Sequence, residues 1–435
     1  MAGVRRADPR VLLGGICLFV VALGLWNVSH YPPGLGYDAS AHIAYADGLV
    51  PGGRLPHDTG EYYTPPGFYA LAGTADWLAR ELGVNPYSSH RAGMALNILW
   101  LLGTVLLVAR IARELWPGRE RIELGAAAFV ALLPVTVESE AMFHPESLSL
   151  FLSTLALWLG IRTFTNPRYA LGLGITLGAA QLVRAFSLWT VGAVLLALVA
   201  GRRWRSLAIV VVVAALIPSP WYIHQALTYG GQPTFPQPTT KLGRNAAGAP
   251  LPLYERRPLS FYVDLGLPDV LTAPYRVHFV NEALPTVYAG IWGDYFGAWA
   301  WQGHREISST GAHFESGPPA SARTRLVAQS FIGLLPTLLA LVGWVLLARA
   351  SLRRPPQLLV ALLPLVGVLG FLYFIVSYPT ADGDVIKASY MLTTVAGWAL
   401  AFGYALDRLR GSTWRLAAAL LVLCGLVDLQ FLIFG

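Results

Sequence analysis

The chain has 435 residues, 55% of them hydrophobic and 13% charged, with a formal net charge of +7. Soluble domains carry roughly 25% charged residues, so an ordinary soluble domain is excluded and a multi-pass membrane protein is expected. The arginines stand in short clusters between apolar runs, a sign of membrane topology that argues against a nucleic-acid partner.

In chain order, Arg5, Arg6 and Arg10 precede an apolar run over residues 11–29. That run is long enough to span and has no convincing small-residue cleavage site, so it reads as an uncleaved first helix. A first extracytoplasmic loop, residues 30–90, includes a polar stretch from Gly36 to Tyr69 and a surface helix from Phe68 to Arg80, which cannot be a span without inverting every later loop. Apolar runs of spanning length or nearly so follow at 91–113, 122–142 and 146–162. Two shorter helices at 169–182 and 185–200 hinge at Val183 and Arg184, and a further run covers 206–224. After a large Pro/Gly-rich extracytoplasmic loop, residues 225–324, runs recur at 325–348, 358–377, 388–406 and 414–433. The expectation is a single all-α integral membrane domain over residues 1–435, with about eleven spans and one juxtamembrane helix.

The inner loops of that scheme carry 3, 4, 2, 3, 3 and 3 arginines, as the positive-inside rule requires. All nine histidines and most acids fall on the outer side or at outer helix ends. Cys17 and Cys424 both lie in apolar runs, so no disulfide framework or cysteine-rich metal site is available. Gly172 to Gly178 read GLGITLG within an apolar helix, where close helix packing is expected and nucleotide binding is not.

Several residues stand out chemically. Asp38 and His42 are four apart and share one face if Asp38 opens a helix, for which aspartate is also a suitable N-cap. Glu61, Tyr62 and Tyr63 lead into the rigid Pro65-Pro66 corner. His144 and Glu146 sit at an outer helix junction near Glu138 and Glu140, where acids are costly unless they face a polar cavity or a cation. A divalent metal at His144, Glu146 and Asp38 is one reading, although no HExxH-like spacing supports it. Arg184 interrupts two half-length helices on the outer side, where it suits an anionic ligand or lipid headgroups. Lys387 follows Asp382 and Asp384, either completing that anion site or pairing with Asp384.

Taken together, these features resemble the GT-C glycosyltransferases, polytopic enzymes that use polyprenyl-phosphate sugars, such as protein O-mannosyltransferases and aminoarabinose transferases. The resemblance rests on Asp38 and His42 in the first loop, then Gly53-Arg54-Leu55-Pro56, Glu61, Pro65-Pro66 and Tyr69. It also rests on the acidic turn after the third span, Pro220-Trp221-Tyr222 with Tyr229-Gly230, and the late segment Trp292-Gly293 to Phe296-Gly297. Ala39 stands where many members carry a second acid, and Glu146 where an aspartate is common.

The resemblance implies an inverting glycosyl transfer from a polyprenyl-phosphate donor to an acceptor hydroxyl on the extracytoplasmic face of a bacterial inner or plasma membrane. The acceptor could be a glycan, a lipid or a protein. Asp38 would be the base. His42, Glu61, Tyr62, Tyr63, Arg184, Lys387, Trp292 and Asp294 would contact substrate, with His144 and Glu146 holding a metal if one is used. The alternative is a polytopic transporter or glycolipid flippase, which would instead place ionisable groups near the midplane and show repeated halves.

Overall fold

The computed structural model describes residues 8–34, 36, 38–57, 60–230, 246–249, 251, 256–274, 282–293, 306–308, 311–313, 320–377 and 386–434. The first part of the chain folds as α1 (Pro9–His30), α2 (Ala39–Leu49), α3 (Gly67–Glu81), α4 (Pro86–Leu115), α5 (Glu120–Leu132), α6 (Pro134–Ala141) and α7 (Glu146–Thr163). It continues through α8 (Tyr169–Val183), α9 (Leu188–Ala200), α10 (Trp204–Leu216) and α11 (Ser219–Tyr229). Beyond these come the short helices α12 (Leu259–Val263), α13 (Asp269–Thr272) and α14 (Ala283–Trp292). A two-stranded antiparallel ladder pairs Glu306–Ser308 with Gly311–His313. Helices α15 (Ala320–Ser351), α16 (Pro355–Ser377), α17 (Val395–Leu406) and α18 (Thr413–Phe434) complete the fold.

Each of the eleven apolar runs is helical, but length and composition support fewer independent spans. Among the described residues four helices qualify alone: Pro9–His30, Pro86–Leu115, Arg323–Ser351 and Pro355–Ser377. Counting the bent pairs α5–α6 (49°) and α10–α11 (47°) as one span each brings the number to six. Pro134 at the start of α6 and Pro220 near the start of α11 account for the bends, since proline cannot donate to the preceding turn. The run at 388–406 also departs from a regular helix, opening with a 3₁₀ segment, Ala388–Thr394, before α17 begins.

Helix α3 is amphipathic. Phe68, Tyr69, Ala72, Gly73 and Asp76 are buried against α2 and α4, whereas Leu71 and Leu78 face outward. Gly174 and Gly178 likewise act as contact points: a Cβ on either would strike Val213 or Ile217 across the α8–α10 interface.

The closest approach of backbones lies between α15 and α17, where a Cβ at Gly343 would meet the carbonyl of Ala401. Neighbouring Gly403 abuts the backbone of Ile122 on α5 in the same way. Gly343→Ala is therefore expected to push α15 off α17 and to destabilise the protein by about 1–3 kcal/mol, the usual range for overpacking. Thermal melting in detergent checks this, with the more open Gly172→Ala as the neutral control.

Candidate active site

Asp38 occupies the N-cap position of α2, but its backbone is left-handed (φ 53°) and its carboxylate caps nothing. Aspartate is among the few residues that tolerate this conformation. The freed carboxylate turns instead to Lys387, whose Nζ lies 3.0 Å from Asp38 Oδ2, a contact joining positions 349 residues apart. Lys387 is buried and the Asp38 side chain is 48% exposed, so the pair presents its acid to the outside and keeps its cation within. The ammonium of Lys387 beside it holds the Asp38 carboxyl down at about 2, against the opposing effect of partial burial. His42 and Arg184 add to the lowering.

One helical turn beyond Asp38, His42 is buried, with Nδ1 2.6 Å from the hydroxyl of Tyr69 on α3. Its Nε2 has no hydrogen-bond partner, and its ring meets that of His144 edge-on at 4.4 Å. Burial lowers the His42 imidazole to about 4, so it is neutral at physiological pH, although the charge of Glu61 opposes the shift. Glu61 is itself buried, accepting from Thr64 Oγ1 at 2.5 Å and Tyr63 OH at 3.2 Å. The Tyr62 carbonyl accepts from Gln225 of α11 at 2.9 Å, and its ring lies 4.7 Å from Tyr229. The loop is thus anchored to α11 as well as to α3.

Arg184 lies where α8 ends, in extended backbone ahead of a 3₁₀ turn at Ala185–Ser187. Its Nη2 is 3.0 Å from Glu146 Oε1 at the start of α7, and both side chains are buried. The guanidinium stands over the rings of Phe186 (5.7 Å) and Tyr390 (5.6 Å), which stack on one another at 4.1 Å. The charges of Glu61, Arg184, Asp38 and Lys387 all reach the His42 imidazole. The structure therefore brings Asp38, His42, Glu61, Tyr63, Arg184 and Lys387 together, with His144 and Glu146 behind them.

Other expectations need correction. Trp292 does not present a stacking face beside Asp38. It is buried in the helical core, its Nε1 donating to Thr337 Oγ1 at 2.8 Å and its ring edge-on to Phe129. A tryptophan at the end of an amphipathic helix suits an interface, but here α14 packs inward on α15. Asp294 lies outside the described residues, as do Asp382 and Asp384, and the recorded partner of Lys387 is Asp38.

The metal reading does not fit the described residues. His144 Nδ1 and Glu146 Oε1 are 3.7 Å apart, but Glu146 is engaged by Arg184, and Lys387 occupies Asp38. Among the described residues no group of three or more His, Cys, Asp or Glu side chains is placed to hold an ion.

Two features escaped the sequence reading. Tyr390 lies three residues past Lys387 in the 3₁₀ segment, its ring beneath the Arg184 guanidinium; a regular-helix reading of 388–406 hides this. Asp76 accepts from the Gly93 amide at 2.8 Å and lies 2.9 Å from His90 Nδ1, bracing α3 on α4. Its place on the buried stripe of α3 was the available signal.

Beside this cluster lies an apolar cavity of about 570 Å³. Ala388, Met391 and Leu392 of the 3₁₀ segment line it, together with Phe129, Trp292 and Leu338. Lys387 and the cavity wall are therefore adjacent along the chain.

Residues 84–224 match the family model described as dolichyl-phosphate-mannose-protein mannosyltransferase. The whole chain is similar in structure to the Archaeoglobus fulgidus oligosaccharyltransferase in its apo form (TM-score 0.55, 15% identity), covering 100% of this chain and 56% of that one. It is also similar to ArnT from Cupriavidus metallidurans bound to undecaprenyl phosphate (TM-score 0.50, 14% identity), covering 94% of this chain and 61% of that one. The fold is GT-C. A. fulgidus AglB in complex with an inhibitory peptide and a dolichol-phosphate gives a TM-score of 0.53 at 15% identity, with coverages of 98% and 55%. The GT-C chain thus spans between half and two thirds of the length of these structures. No curated protein sequence matches it. The family-model segment includes Glu146 and Arg184 but neither Asp38 nor Lys387.

Proposed function

We propose that this GT-C protein transfers a sugar from a polyprenyl-phosphate donor to an acceptor hydroxyl, with inversion, on the extracytoplasmic face of the membrane. The observation that carries the reading is the meeting of a half-exposed acid, two buried cations and an apolar cavity at one place in the fold. The polyprenyl chain lies in the cavity, the phosphate reaches Lys387 and Arg184, and the sugar faces Asp38. Family model and structural neighbours support the donor class, since ArnT and AglB were each captured with a polyprenyl phosphate.

In the reaction the acceptor oxygen forms a bond to the anomeric carbon as the bond from that carbon to the phosphate oxygen breaks. The electron pair leaves on the phosphate and the acceptor proton passes to Asp38. Cations fixed where this charge grows stabilise the transition state more than the ground state. A carboxyl held near 2 is ionised at neutrality but weakly basic. As Lys387 is drawn to the departing phosphate, its hold on Asp38 relaxes, and the acid gains basicity when the proton moves. Tyr63 and Tyr390 border the place left for the sugar.

The direct test is purified protein incubated with a panel of polyprenyl-phosphate sugars and with glycan, lipid and peptide acceptors, read by mass spectrometry. Release of polyprenyl phosphate with a glycosylated product is expected; no release from any donor in a well-folded sample counts against the reading.

Lys387→Met supplies a pH test. The partner that lowers Asp38 is lost, so its pKa rises toward the ordinary carboxylate value of about 4. A base works only when ionised, so the acid limb of kcat/KM moves up into the range below about pH 5, whereas the native limb stays near 2. Turnover at neutral pH is also expected to fall by about ten- to a hundredfold through loss of a phosphate cation. An unmoved acid limb in Lys387→Met is the contrary result.

A further inference from the structure

Far from the catalytic cluster, a second cavity of about 520 Å³ opens between the C-terminal ends of α4 and α7 and the N-terminus of α16. It is lined by Glu114, Arg162, Thr165, Arg354 and Gln357, among others. Helix α7 fixes its position, because Glu146 in the catalytic cluster and Arg162 at this cavity are sixteen residues apart on one helix. At 1.5 Å per residue that is about 24 Å, nearly the thickness of a hydrocarbon core. The catalytic cluster and this cavity therefore lie at opposite ends of α7, about one hydrocarbon thickness apart.

The charges here do not balance. Glu114 is shared among Arg110 Nε (2.9 Å), Arg162 Nη1 (3.7 Å) and Trp158 Nε1 (3.3 Å). Arg162 also donates through Nη2 to the Tyr169 hydroxyl at 3.2 Å, yet its Nε is buried without a hydrogen-bond partner. Arg354 points to the same cavity from the next wall, and among the described residues no acid pairs with it. Two guanidinium groups thus share one carboxylate, and a third, Arg354, lines the same cavity. The positive end of the α16 dipole adds to them, because that helix begins at Pro355 beside Arg354.

We infer that this cavity binds a phosphate group, either the headgroup of an anionic phospholipid in the leaflet opposite the catalytic cluster or a free phosphate. The guanidinium fork matches phosphate oxygens in pairs, and a diester presents the single negative charge that such a site favours. Basic pockets between helix ends on the inner side are suited to anionic headgroups. Arg353 and Arg354 both reach water, but only Arg354 lines this open cavity, where it faces half-buried Arg162.

Native mass spectrometry of the detergent-purified chain, titrated with dioleoylphosphatidylglycerol, dioleoylphosphatidylcholine and inorganic phosphate, tests the site. Phosphatidylglycerol is expected to stay bound where phosphatidylcholine does not. Arg354→Gln should weaken its retention about tenfold, and Arg353→Gln should not. Both variants should melt like the native protein, since neither arginine has an ion pair to lose among the described residues. Equal retention in the two variants, or equal binding of the two lipids, overturns the inference. Displacement of phosphatidylglycerol by millimolar inorganic phosphate supports a site for the free anion; retention of the lipid in its presence supports the headgroup.

Discussion

Replacing Asp38 with asparagine is expected to leave a folded, abundant protein that no longer transfers sugar. Asparagine tolerates the left-handed backbone that position 38 requires, so α2 still starts where it does. No cap is lost, since the carboxylate makes none. What disappears is a proton acceptor, worth roughly 10²–10⁴-fold in turnover, and the counter-charge of buried Lys387, whose ammonium can still donate to the half-exposed asparagine oxygen. Turnover measured by mass spectrometry, beside a melting curve within a few degrees of native, checks both halves of the expectation. Near-normal transfer by Asp38→Asn would sink the assignment of the base.

Arg184→Ala should lose both donor affinity and rate, and it should also lose stability. Glu146 is almost wholly buried, and removing its cation strands a carboxylate at a cost of about 3–5 kcal/mol. A poorly folded variant says nothing about phosphate, so the informative protein is Arg184→Ala combined with Glu146→Gln. That pair removes both charges together and should recover most of the melting temperature, as coupled neighbours do in a double-mutant cycle. Donor KM is still expected to rise more than tenfold, with a slower chemical step. Native donor affinity in the stable double variant would show that the guanidinium serves only to neutralise Glu146.

The apolar runs were legible because length and hydropathy are written locally, and the helix at Phe68 to Arg80 because the arginine pattern leaves no room for it as a span. So was the prominence of Asp38, His42, Glu61 and Arg184, since each is a polar residue where apolar neighbours make polarity costly. The partnership of Asp38 with Lys387 was not, because no local rule links residues 349 apart and Asp384 offered a nearer acid. Trp292 misled for a related reason: an interfacial and a buried tryptophan look alike until the neighbouring helix is known. The metal reading failed on the same ground, since Glu146 could be seen but not the guanidinium that claims it. The 3₁₀ segment at Ala388–Thr394 hid inside an apolar run because hydropathy does not report helix pitch.

The contact between Asp38 and Lys387 also sets a timetable. A ribosome that has made the aspartate must add 349 further residues before the lysine exists. At 5–20 residues per second that is roughly 20–70 seconds. Until then the first loop holds an acid on a left-handed turn without its lysine, and a chain halted earlier carries an incomplete site however well its opening helices have inserted. Competence for the proposed chemistry therefore arrives late in synthesis, with the lysine.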